Sequence, residues 1–117
     1  ILEGITTSYG GTFKFSYNRG TPATINDPDL AKKMLPSMER VMGKENVITC
    51  DPTMGGEDFA YYANEIPGLF YWLGSVKPGT TSGGHHNPTF MADDSCIPVG
   101  MRVMTNLLMD YLKAGGQ

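Results

Sequence analysis

Histidine, cysteine and basic charge are all scarce in this sequence, and each shortage excludes something. The 117 residues include 2 His and 2 Cys, with 9 Lys plus Arg against 12 Asp plus Glu, for a net charge of -3. Because no basic stripe is present to bind a phosphate backbone, we exclude nucleic acid as a partner. No run of about 18 apolar residues exists, which excludes a membrane helix. We expect about one domain in a soluble, cytoplasmic protein.

The two cysteines form no CxxC pair and lie far apart, at Cys50 and Cys96. That spacing gives no sign of a zinc ribbon or a redox motif. We interpret both as buried thiols of a reducing compartment.

The first residues, "ILEGITTSYGG", resemble the end of a helix that runs into a glycine pair. The chain does not begin with Met, and no capping residue stands before this helix. A helix normally has such a cap, so we expect that an upstream segment has been lost.

Helical patterns occupy three stretches after residue 27. Asp27 and Pro28 are typical of a helix start, a methionine-rich apolar face follows, and Gly43 fits the end. We expect Pro36 to bend that helix and its methionines to lie in the core. Two further helices are predicted, at 57–66 and from about 95 to 114, the last stopping at Gly115-Gly116.

Strand patterns alternate with these helices. Period-two alternation predicts a strand at 12–17 with one buried face, and β-branched or continuous apolar runs predict buried strands at 46–50 and 69–74. From residue 27 onward the order is helix, strand, helix, strand, helix. The sequence therefore predicts an α/β fold.

Both histidines stand side by side in the long loop 75–92, within "GGHHNPTF". Neighbouring residues in an extended loop point to opposite sides, so one small site takes only one of the two rings. Asn87 is held extended by Pro88. A catalytic zinc needs about three protein ligands, and no CxxC or HExxH pattern completes a set here. The alternatives are therefore that one histidine is a metal ligand, or that both are solvated or hydrogen-bonded loop residues.

A second candidate site is "MGGED", where Gly55 and Gly56 lead into a helix that opens with Glu57 and Asp58. Unpaired backbone N–H groups at such a start can bind an anion, including a carboxylate, while the acidic pair argues against phosphate. The alternative is that Asp58 caps the helix and the glycines form a tight turn.

Aromatic residues are concentrated in "EDFAYY" and "LFYWLG". Such a group could line a pocket, but core packing is the more common arrangement, so we interpret these residues as core.

Several stretches together resemble one family. "YNRGTPATINDPDL", "MGGEDFAYYANEIPGLFYWLG", "HHNPTFMADD" and "IPVGMRVMTNLLMDYL" are similar to the C-terminal part of metal-dependent amidohydrolases that include hippurate hydrolase, N-acyl-amino-acid amidohydrolases and related zinc carboxypeptidases. The resemblance covers essentially the whole chain. It implies cleavage of an amide bond at an amino acid with a free carboxylate, in N-acyl amino acids or small peptides, by two divalent ions, usually zinc or manganese.

The resemblance also implies roles and domains. His86 falls where these enzymes carry their last metal ligand, and His85 then faces away or lies behind it. Gly55, Gly56 and Glu57 fall in the loop that shapes the substrate site. Residues 1–19 resemble the tail of an α+β lid domain through which such enzymes form homodimers, and residues 20–117 resemble the C-terminal part of a three-layer αβα catalytic domain.

The family's other metal ligands and its general base do not occur in this sequence. One imidazole cannot hold a hydrolytic metal alone, so the resemblance implies a fragment that is inactive by itself, with no catalytic residue assigned. A non-catalytic module that binds carboxylates or a partner without metal, and an inert α/β scaffold, are the alternatives. An incomplete sheet would leave apolar surface open, which predicts self-association.

Overall fold

A computed structural model describes residues 1–115 as helices joined by long extended segments. The elements are α1 (Leu2–Ser8), α2 (Pro28–Met42), a 3-10 turn (Lys44–Asn46), α3 (Phe59–Glu65) and α4 (Cys96–Lys113). The predicted helices at residues 27–43, 57–66 and 95–114 are therefore confirmed. Gly115 follows α4 with a positive φ of 87°, while Gly116 lies outside the described residues.

Helix α2 begins and ends where its sequence signals predict. The carboxylate of Asp27 accepts a hydrogen bond from the Leu30 N–H at 2.7 Å, and Pro28 takes the first helical position. Gly43 ends the helix with a φ of 84°, a conformation that glycine adopts without the penalty of a Cβ. Pro36 is contained within the helix, which runs uninterrupted to Met42.

Helices α2 and α4 pack against each other and form the hydrophobic core. Met34 of α2 and Val103 and Leu107 of α4 are buried. Side chains packed against them are Leu30, Met38, Val41, Met42, Leu69, Tyr71, Val99 and Tyr111. The prediction that the methionines of α2 lie in the core is confirmed.

Segment 69–73 crosses this helix pair in a strand-like manner. Leu69 and Tyr71 contact the helix core, and a Cβ on Gly100 of α4 would approach Leu73 Cδ2 to 2.8 Å. The intervening Phe70 and Trp72 instead contact each other, at 5.3 Å between ring centroids. Alternate side chains thus serve opposite faces, as the period of an extended chain requires.

One side chain substitutes for part of a β-ladder along this segment. The Asn26 amide donates to the Phe70 carbonyl at 2.8 Å and accepts from the Phe70 N–H at 2.6 Å. Next to it, the Asp27 N–H donates to the Gly68 carbonyl at 2.9 Å.

The three predicted strands are nevertheless wrong for this chain, since no residue between 1 and 115 forms a strand. A strand exists only when a neighbouring backbone supplies ladder hydrogen bonds, and residues 12–17, 46–50 and 69–74 have no such neighbour here. The predicted buried face of 12–17 is exposed, with Phe15 at 66% and Tyr17 at 72%. The described chain by itself therefore does not confirm the α/β class.

The thiol prediction also needs correction. Both cysteines are free, but Cys50 is exposed and only Cys96 is partly buried. Cys50 ends the unpaired segment 46–50, in which Ile48 is likewise 79% exposed, so nothing covers its thiol.

The chain is extended and exposes much apolar surface. Its radius of gyration is 20.6 Å, whereas a compact domain of this length has about 13 Å. The accessible surface is 9947 Å², against about 6,200 Å² for a compact protein of equal mass. Residues 1–20 contribute no buried side chain. In the described part of the chain, no helix is long and apolar enough to cross a membrane.

Candidate functional site

The histidine loop, defined as residues 82–91, is closed by its own hydrogen bonds. The Met91 N–H donates to Ser82 Oγ at 2.7 Å, and the Gly83 N–H donates to the Thr89 carbonyl at 3.1 Å. Inside the loop, Asn87 Oδ1 accepts from the Thr89 N–H at 2.9 Å and from the Thr89 hydroxyl at 2.7 Å. The loop is therefore locally ordered.

Gly83 is required where the two ends of this loop meet. A Cβ at this position would lie only 2.4 Å from Thr89 Oγ1 and 2.8 Å from Asn87 Oδ1, whereas a Cβ on Gly84 would meet nothing within 4 Å. The loop can therefore close this tightly only because residue 83 has no side chain.

The two histidines have different surroundings. The His85 ring packs between Trp72 and Phe90, at centroid distances of 5.9 Å and 5.3 Å. Both residues are exposed, but within residues 1–115 His86 has no aromatic neighbour and no hydrogen bond. It is also the one non-glycine residue with positive φ in that range, at 62°. Such a conformation costs about 1–3 kcal/mol, comparable with the two ring contacts at about 0.5–1.5 kcal/mol each.

The glycine loop, residues 54–58, lies against residues 21–24. A Cβ on Gly56 would meet Thr21 Oγ1 at 3.4 Å, and the Thr24 hydroxyl donates to the Glu57 carbonyl at 3.5 Å. Asp58 stands at the N-cap of α3 but makes no side-chain cap hydrogen bond. Instead, the Glu57 carboxylate accepts from the Phe59 N–H at 3.2 Å. The alternative of an Asp58 side-chain cap is wrong: Asp58 has a helical backbone conformation, and the Ala60 and Tyr61 N–H groups that it would cap donate to the Glu57 and Asp58 carbonyls.

Gly55, Gly56 and Glu57 lie next to a short helix, since α3 has only 7 residues. A helix of this length has a small dipole, and a carboxylate already stands at its start. The expected anion site at these N–H groups is therefore weak. Gly55 and Gly56 remain exposed, and Glu57 is partly buried.

A series of aromatic contacts connects the two loops. Phe59, at the start of α3, contacts Phe70 at 5.7 Å, and Phe70 contacts Trp72 at 5.3 Å. Trp72 contacts His85, and His85 in turn contacts Phe90. We call Phe59, Phe70, Trp72, His85 and Phe90 the aromatic series. The interpretation of the aromatics in "EDFAYY" and "LFYWLG" as core is wrong for Tyr61, Tyr62 and Trp72, which are 54%, 67% and 54% exposed.

A separate cavity of about 220 Å³ lies at the start of α4, lined by residues that include Leu73, Lys77, Asp93 and Cys96. Hydrogen bonds from the Ser95 hydroxyl and then its N–H lower the pKa of Asp93 below its usual range. Leu73, Met42 and Val99 place this cavity on the helix-pair side of segment 69–73. It is therefore distinct from the histidine loop.

A divalent metal would find its donors here in the histidine loop. Both imidazoles are exposed and neither makes a hydrogen bond among the described residues, so their nitrogen lone pairs are open to a metal, and of the two only His86 also lacks ring contacts. Between residues 1 and 115, however, no three His, Cys, Asp or Glu side chains lie close enough to hold an ion. The residues present fit a contribution of one ligand and do not form a complete site.

Comparison with known proteins assigns the family. The profile described as "Peptidase family M20/M25/M40" matches residues 3–110, which include both loops, α2 and α4 except its last three residues. The chain belongs to this family. The resemblance found in the sequence motifs is thereby confirmed.

Relatives in this family are much longer than the chain. It is 28% identical over 95% of its length to YhaA of Bacillus subtilis, spanning 28% of that protein. It is 32% identical over 97% to "N-acetyldiaminopimelate deacetylase" of Streptococcus suis, again spanning 28%. It is 32% identical over 79% to "IAA-amino acid hydrolase ILR1-like 2" of Arabidopsis thaliana, spanning 21%. No solved structure gives a significant match.

Proposed function

We propose that this chain supplies one metal ligand and part of the substrate wall to a metal-dependent hydrolase of N-acyl amino acids or small peptides. Two of its relatives carry names that describe such reactions, a deacetylase of an N-acetylated amino acid and a hydrolase of an amino-acid conjugate. Family M20/M25/M40 is generally metal-dependent. The substrate is an amide whose amino-acid side carries a free carboxylate.

The histidine loop is the observation that carries this proposal. It lies within the matched residues, it is closed by hydrogen bonds, and it exposes both histidines, of which only His85 contacts other rings. A donor held in a closed loop loses little conformational entropy when it binds. We propose His86 as a ligand to one of two divalent ions, zinc or manganese.

The layer arrangement supports an αβα catalytic domain that includes residues 20–117. Helices α2 and α4 cover one side of segment 69–73, while Phe59 of α3 and the histidine loop reach its other side. We propose that segment 69–73 is a strand of the complete sheet. Residues 1–19, which bury no side chain, are assigned to a lid domain through which the enzyme forms a homodimer.

The chemistry divides between the ions and the protein. When bound, a divalent metal polarises the amide carbonyl and lowers the pKa of water. The residues of this chain position the reactants: His86 holds an ion, and Gly55, Gly56 and Glu57 form a wall beside the substrate. The exposed glycines allow close approach of a substrate to the backbone.

The alternative of a metal-free carboxylate-binding module has less support from the geometry. It depends on the N–H groups at the start of α3, and the Glu57 carboxylate accepts a hydrogen bond from one of them at 3.2 Å. A second carboxylate there would meet the charge of the first.

A chimeric enzyme tests the proposal. Residues 3–110 would replace the matching segment of the Streptococcus suis deacetylase, and the purified chimera would be assayed for bound metal and for hydrolysis of an N-acetyl amino acid. We expect His86→Ala to lose one ion per site and most of the activity. His85→Phe, which removes the other imidazole but keeps a ring, is the matched control.

Two results would contradict the proposal. If His86→Ala kept its full metal content while His85→Phe lost an ion, the ligand assignment would be reversed. If neither variant changed metal content in an active chimera, neither loop imidazole would be a ligand.

A further inference from the structure

We propose that His85 is a positioning residue for its neighbour. Its ring, packed between Trp72 and Phe90, holds the histidine loop so that His86 keeps the left-handed backbone conformation in which its imidazole is exposed. This inference rests on the proposed function for its purpose, since it assumes that His86 binds metal. The conformational part can be tested without metal.

Two ring contacts hold His85, although the residue is exposed. Trp72 lies at 5.9 Å with its plane tilted by 40°, and Phe90 lies at 5.3 Å in an edge-to-face arrangement of 71°. These are favourable geometries for ring pairs. Trp72 belongs to segment 69–73, and Phe90 belongs to the loop itself. The contacts therefore tie the loop to the segment that crosses the helix pair.

The backbone around residue 86 needs such a support. A non-glycine residue with φ near 60° is disfavoured by its own Cβ and persists where the surroundings hold it. The hydrogen bonds of the loop act at its ends and at Asn87, through the Ser82–Met91 and Thr89 contacts. None of them involves His85 or His86, so the ring packing of His85 restrains the strained residue from its N-terminal side, as the hydrogen bonds of Asn87 do from its C-terminal side.

The packing requirement explains why two adjacent histidines can have different roles. His85 acts through the shape and the faces of its ring, which another aromatic side chain reproduces. His86 acts through a nitrogen lone pair, which phenylalanine lacks. Replacing His85 by phenylalanine or by alanine therefore separates packing from ligation.

The experiment uses the 117-residue chain with His85→Ala, His85→Phe and His86→Ala. The intraresidue amide-to-Hα NOE of residue 86 reports positive φ, and acrylamide quenching reports the cover of Trp72, the single tryptophan. Zinc affinity is measured on the same variants in the chimeric enzyme, where the other ligands are present. We expect His85→Ala to weaken the NOE, increase quenching and weaken zinc binding about tenfold, as loss of a supporting residue does in a complete metal site. His85→Phe should retain all three.

Distinct outcomes separate the two proposals. An unchanged NOE in His85→Ala would overturn the positioning role. Equal loss of zinc in His85→Phe and His85→Ala would overturn it too, because His85 would then be a ligand. If His86→Ala left zinc binding intact, the proposed ligand would be wrong, while the NOE and quenching results would still decide what His85 does. Unchanged far-ultraviolet circular dichroism confirms that the helix pair remains folded.

Discussion

The helix pair and the histidine loop are both ordered, but by different means. Met34, Val103 and Leu107 order the helix pair by removing hydrocarbon from water, so many contacts share the stabilisation. The histidine loop buries almost nothing and depends on a few hydrogen bonds, one glycine and two ring contacts. The first arrangement tolerates change at its surface, whereas the second has no spare contacts. Local order in this chain therefore arises without burial as well as with it.

The largest expected effect is in the helix pair. Val103 is 1% exposed and its neighbour Met104 is 58% exposed. Val103→Asp places an unpaired charge in the core, which should cost at least about 4 kcal/mol and abolish cooperative unfolding. Met104→Asp is the matched control and should retain the transition. The measurement is thermal unfolding by circular dichroism, and equal loss in both variants would show that α4 does not bury this face.

A smaller, local effect is expected in the histidine loop. Gly83→Ala puts a Cβ within 2.4 Å of Thr89 Oγ1 and should cost about 1–3 kcal/mol through strain. Gly84→Ala, where nothing lies within 4 Å, is the control. Amide chemical shifts of residues 82–91 should move in Gly83→Ala alone, with the helix pair unchanged. Similar spectra for both variants would mean that the loop is not closed as described.

The smallest effect concerns pH. Hydrogen bonds from the Ser37 hydroxyl and then the Arg40 guanidinium, which lies at 2.6 Å, lower the pKa of Asp110 below its usual range. This contact therefore stabilises the helix pair fully above the ordinary carboxyl pKa of about 4. The contribution is lost as the pH falls through the depressed value.

The pH dependence can be measured as the unfolding midpoint between about pH 6 and about pH 2. Asp110→Asn should lower the midpoint at pH 6 and flatten its decline in acid. Asp94→Asn leaves the Ser37–Arg40–Asp110 contacts intact and should follow the unchanged chain. A parallel decline in all three proteins would show that other carboxylates govern acid unfolding.

The sequence predicts well those features that are determined by residues close together in the chain, such as the two ends of a helix. Asp27, Pro28 and Gly43 fix the bounds of α2 through a cap, a preset φ and a left-handed end. Strands depend on distant backbone, and among residues 1–115 the backbone of segment 69–73 is hydrogen-bonded by the Asn26 amide and by no neighbouring strand. Its strand prediction therefore fails in this chain although its side chains alternate as predicted.

The candidate site could also be predicted in part from the sequence. The histidine pair and the glycine loop stand out as motifs, but their surroundings depend on residues far away in sequence. Trp72 precedes His85 by thirteen positions, so no local pattern shows that their rings meet. At the start of α3, the carboxylate that accepts a backbone N–H belongs to Glu57 and not to Asp58. This depends on the backbone conformation of Asp58, which its residue type does not reveal.

The hydrogen bonds of the Asn26 amide determine on which side of segment 69–73 a further strand can pair. In an extended chain, the N–H and C=O groups of alternate residues face the same side, so Gly68 and Phe70 share one edge and Leu69 and Tyr71 the other. Asn26 and Asp27 occupy the first edge. A further strand can join this segment only beside Leu69 and Tyr71, which makes growth of a sheet here one-sided.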